Sequence, residues 1–164
     1  MNMKIVNTLF FLCLFTYTYC FSQNHLERIE LVHSNSIIIG NTIRITIQPI
    51  KKIKNSKMRV AVESKNEYYN RKLSRREYET IKDAVLKIDS KVLYPLSDNA
   101  KDTLVTTCLD GDGTSITIFR NNKKENYFAY CFSKMDKYNH KKYFYHAAKL
   151  IYQAGRVKIE ELDD

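Results

Sequence analysis

Asp110-Gly111-Asp112-Gly113 is the stretch of this chain closest to ligand chemistry, because alternating carboxylates are how a calcium loop begins. A loop of the EF-hand kind also needs an acidic or amide ligand at its fifth position, Gly at its sixth and Glu at its twelfth. Those positions hold Thr114, Ser115 and Asn121. The four residues therefore read as a tight turn between strands. The histidines stand at 25, 33, 140 and 146, and no pair has metal spacing. His140 and His146, six apart, project about 240° from each other around a helix. A nucleophilic pairing of a histidine with Cys108 or Cys131 is conceivable, but the export argued below leaves such thiols oxidised or buried. Residue types and spacing thus predict no catalytic residue, no metal site and no cofactor.

Binding chemistry rests on the lysines. Lys51, Lys52, Lys54 and Lys57 form one run, and Lys134, Lys137, Lys141 and Lys142 form a second. With residues 1–22 removed, 26 basic residues face 18 acidic ones, for a net charge of +8. That excess favours an anionic partner, either an acidic protein or an anionic envelope component such as lipid or polysaccharide. The opposing reading is a solvated lysine-rich surface, in a chain also rich in Ile, Asn and Tyr. Nucleic acid is not expected, since the chain shows no nucleic-acid-binding motif and carries an export signal.

That signal occupies residues 1–22. Met1-Asn2-Met3-Lys4 is a short basic start, and Leu9 to Phe15 is an unbroken apolar run of seven residues. A membrane span needs about 20 apolar residues, so the run is too short to cross, and no transmembrane segment is expected in the mature chain. Ser22 and Cys20 supply small side chains at −1 and −3, which makes Gln23 the expected mature start. Lipidation of Cys20 is the lesser alternative, because Tyr19 stands where a lipoprotein signal wants Gly, Ala or Ser. The mature 142 residues (164 less 22), residues 23–164, are the size of a single domain in the periplasm or outside the cell.

Removal of Cys13 and Cys20 leaves Cys108 and Cys131, and an even pair in an oxidising compartment is normally a disulfide. The strand pattern opposes it. Leu104–Leu109, Thr114–Phe119 and Tyr127–Phe132 are three strand-like runs, joined by Asp110–Gly113 and Asn121–Asn126. In a simple meander the cysteines would lie two strand spacings apart, about 9.6 Å, beyond the roughly 7 Å a bridge tolerates. Meander and bridge exclude each other unless Cys108 lies where its strand has bent out of the sheet.

Upstream, Glu27–Val32, Ser36–Ile39, Thr42–Ile47 and Met58–Val62 read as strands, with a Gly40-Asn41 turn and Pro49 as a stop. Ser74 and Glu77 form a capping box for a helix whose stripe is Tyr78, Ile81, Val85 and Ile88. Leu93–Asp102 reads as a loop around Pro95. Tyr143 to Ala154 predicts a second amphipathic helix, ending at Gly155 in the left-handed conformation.

This order predicts an α+β domain, an antiparallel sheet of six or seven strands with two helices packed on one face. Leu109-Asp110-Gly111, Ile116-Thr117-Ile118, Tyr127–Phe132 and the closing helix resemble small exported bacterial domains of unknown function, from which this chain departs in having no Trp. The resemblance implies no activity. The functional expectation is an exported, non-enzymatic binding domain, with an inhibitor or immunity-type protein as its specific form and a basic face as its contact. A peripheral binder of anionic envelope lipid or polysaccharide, and a hydrolase with an unrecognised site, are the alternatives.

Overall fold

The computed structural model describes residues 26–34, 42–50, 57–93, 113–131 and 133–158. Strands β1 (Leu26–Ser34), β2 (Thr42–Pro49) and β3 (Met58–Glu63) form where apolar residues alternate. Ile29, Leu31, Ile45, Ile47, Val60 and Val62 all point to one face and are buried. A fourth strand, β4 (Tyr68–Leu73), was not expected from its sequence, YYNRKL. Its inward positions are Tyr69, Arg71 and Leu73, of which only Leu73 is both aliphatic and buried.

Helix α1 (Arg75–Leu86) opens on the expected capping box. The Glu77 amide donates to Ser74 Oγ at 3.2 Å, and the Ser74 amide donates to Glu77 Oε2 at 2.9 Å. Ile81, Ala84 and Val85 enter the core. A single turn, α2 (Ser90–Leu93), follows where a loop was expected to begin, and Leu93 is buried.

Strands β5 (Gly113–Arg120) and β6 (Lys123–Tyr130) make a hairpin. Its turn is two residues, Asn121 and Asn122, not the six expected. Both have positive φ, 51° and 61°, as a twist-matched two-residue hairpin requires, and Asn tolerates this better than most side chains. The Lys-Lys-Glu-Asn stretch after the turn belongs to a strand whose outer residues are wet, so polarity alone did not mark it as one.

The six strands run β4-β3-β2-β1-β5-β6, every neighbouring pair antiparallel. Both edges of β5 are taken along its length, by β1 and by β6. The expected meander centred on the Thr114–Phe119 run is thereby corrected: its neighbour on the far side from β6 is the N-terminal strand. The 9.6 Å objection to a disulfide, built on that meander, goes with it. Ser36–Ile39, the Gly40-Asn41 turn, Leu104–Leu109, the loop around Pro95 and residues 1–22 lie outside the described residues.

Helix α3 (Lys142–Gly155) packs on α1 and crosses β2 and β3 on the same sheet face, giving the expected α+β architecture. Phe144, Ala147, Ala148 and Ile151 are at most 1% exposed. Its end differs from expectation. Gly155 is still helical, and the left-handed residue is Arg156, with φ 53°. The Arg156 and Val157 amides close the helix on Gln153 O and Tyr152 O, each at 3.0 Å. Gly155 is needed for space: a Cβ there would sit 2.9 Å from Ile45 Cδ1 and 3.2 Å from Val62 Cγ2.

Candidate interaction surface

Between β6 and α3 the chain makes a short 3-10 turn, Lys134–Tyr138, that controls how the second lysine run is displayed. A 3-10 helix repeats every three residues, so residues i and i+3 share a ridge. Asp136 is the inward residue and is buried. Its carboxylate accepts from the Ser133 amide at 3.0 Å and from Asn139 Nδ2 at 2.8 Å. Lys141 Nζ lies 3.5 Å from the same carboxylate and donates to Tyr130 O at 2.9 Å, which ties the start of α3 to the end of β6.

With Asp136 turned in, two ridges are turned out. Met135 and Tyr138 form one, and Lys134 and Lys137 form the other. Met135 is 64% exposed and Tyr138 74%. In the flanking chain, Tyr130 is 57% exposed, Tyr143 41% and Phe128 37%. Among the described residues only Tyr68 and Val92 are other large hydrophobics so exposed, so five of seven fall between positions 128 and 143. Lys137 and Lys142 each hold an ammonium 5.0 Å from the ring centroid of the tyrosine that follows.

The structure thus divides the second lysine run. Lys134 and Lys142 are exposed, Lys137 lies half-buried over Tyr138, and Lys141 is a strut of the fold. Lys57 is exposed just ahead of β3, and its carbonyl accepts from the Ile50 amide at 2.8 Å. Lys51, Lys52 and Lys54 lie outside the described residues. Sequence reasoning singled out the lysines and missed Met135, Tyr138 and Tyr143. The i, i+3 spacing of Met135 and Tyr138, against Asp136 alone as an inward residue, was the available signal.

Among the described residues, the three histidines stand in different surroundings. His33 is buried in the core, its Nδ1 2.8 Å from Thr114 Oγ1 and its ring edge-on to Tyr152. His140 and His146 are exposed. Cys131 is disulfide-bonded, and Cys108, His25, Asp110 and Asp112 lie outside the described residues. Among the described residues no three His, Cys, Asp or Glu side chains gather as a metal site. Where ionisation is displaced, the cause is structural. Glu77 is held down to about 2 by its bonds to Arg71 and Ser74, and burial pushes the Tyr78 phenol up to about 12. No described helix is long and apolar enough to cross a membrane. No family model, no curated protein and no solved structure matches the chain.

Proposed function

We propose that the protein is an exported, non-enzymatic binding domain that meets an anionic partner through the surface between positions 128 and 143. The observation that carries this reading is the concentration of exposed aromatic and thioether side chains in this one stretch of chain, where Lys137 and Lys142 lie over the rings of Tyr138 and Tyr143. Solvent-facing apolar side chains are ordinary when scattered and mark contact surfaces when gathered. The positive net charge of the whole chain supports the choice of partner, and the bonded Cys131 supports an oxidising compartment. An inhibitor or immunity-type role toward an acidic protein is one specific form of this activity.

The test compares two triple charge reversals of equal net charge. K134E/K137E/K142E alters the surface, and K65E/K72E/K124E alters exposed lysines elsewhere. Retention on immobilised polyglutamate should fall for the first variant and change little for the second. Equal loss in both would reduce the effect to net charge and remove the surface from the argument.

A further inference from the structure

The partner class can be taken further, on the reading of the 128–143 segment as the contact surface. We infer that this surface seats on the anionic phospholipid headgroups of a bilayer, with Met135 and Tyr138 entering the interface and Lys134, Lys137 and Lys142 meeting phosphates.

Three observations favour lipid over an acidic protein. First, every cation on the segment is a lysine. Protein interfaces are depleted in Lys and enriched in Arg, whose planar fork suits paired carboxylates, whereas a compact ammonium suits a diffuse field of phosphates. The chain has arginines, and four of them are engaged in ion pairs elsewhere on the fold: Arg28 and Arg44 flank Glu30, Arg71 holds Glu77, and Arg120 holds Glu125. Second, the exposed apolar side chains of the short 3-10 turn are Met135 and Tyr138, of the kind that settles at a membrane–water boundary, and their ridge is too short to span it. Third, the one carboxylate of the 3-10 turn, Asp136, is turned inward and paired with Lys141, so the outward ridges carry no negative charge to repel headgroups.

Vesicle sedimentation with two lipid compositions tests this. The full mature protein should pellet with vesicles containing phosphatidylglycerol and stay in solution with phosphatidylcholine alone. K134E/K137E/K142E should lower the vesicle affinity by at least about a hundredfold. M135S/Y138S keeps the charge and should also release the protein, because apolar entry is lost. Both variants change exposed or half-buried side chains only, and an unchanged circular dichroism spectrum would show that each is folded. Equal pelleting with both lipids, or wild-type binding by M135S/Y138S, would overturn the inference. Retention on polyglutamate through these lysines, with no vesicle binding, would sink the lipid assignment and leave the contact-surface reading standing. Wild-type behaviour of the charge-reversed protein on both supports would sink both.

Discussion

Lys141 and Asp136 form an ion pair, 3.5 Å apart, in which the lysine is largely covered and the carboxylate almost wholly so. The pair converts one member of a basic run into a brace for the others, since it keeps Asp136 inward and the ridges of the 3-10 turn outward. K141A should leave a buried carboxylate short of one partner and cost about 1–3 kcal/mol. K134A and K142A, at exposed positions, should stay within about 0.5 kcal/mol of wild type. Urea titration of the three variants checks the contrast.

Arg71 joins β4 to both long helices. Its Nε donates to Ala154 O at 2.7 Å and its Nη2 to Glu77 Oε1 at 2.8 Å. The Arg71 bond, followed by the Ser74 bonds, holds the Glu77 carboxyl at about 2, below its ordinary 4.5. A carboxyl lowered in the folded state contributes its stability above the unfolded value, and that contribution is lost as pH falls from about 4.5 to about 2. E77Q should therefore be less stable than wild type at neutral pH, and the difference should shrink through that window. Thermal melts at stepped pH read it directly.

Gly155 and Arg156 make opposite predictions at adjacent positions. G155V drives side-chain atoms into Ile45 and Val62, and overpacking of this kind should cost about 2–3 kcal/mol. R156G relieves a left-handed non-glycine residue and should gain about 1 kcal/mol. Chemical denaturation of both variants tests whether space or backbone conformation governs each site.

Cys108 is the partner we expect for the bonded Cys131, since Cys13 and Cys20 fall within the proposed signal peptide. Intact mass of the exported protein should correspond to residues 23–164 less two hydrogens, and should rise by two alkyl groups only after reduction. In the chain-entropy account, reduction should cost roughly 3 kcal/mol. A product still carrying Met1, with both thiols open to alkylation before reduction, would rule out both export and the bridge.

The amino-acid sequence by itself determined the inner layer of the fold. Alternating Ile, Leu and Val in β1, β2, β3 and β5, the Ser74–Glu77 box and the stripe of α3 are local patterns, and each needs only its own residues to declare the buried side. The edges were not legible in this way. Strand β4 reads as polar throughout and β6 as polar before Tyr127, because an edge strand buries less, and Arg71 is admitted to the inner face only because Ala154 O and Glu77 lie within its reach. Strand order was likewise decided by tertiary structure, since β1 returns to pair with β5 across 79 residues of separation, from Ser34 to Gly113, and no local pattern encodes that partner. The same holds for the candidate surface. Composition showed that the 134–142 run is basic, but which lysine braces the fold and which face outward depends on Asp136 being buried, a property of what packs around it.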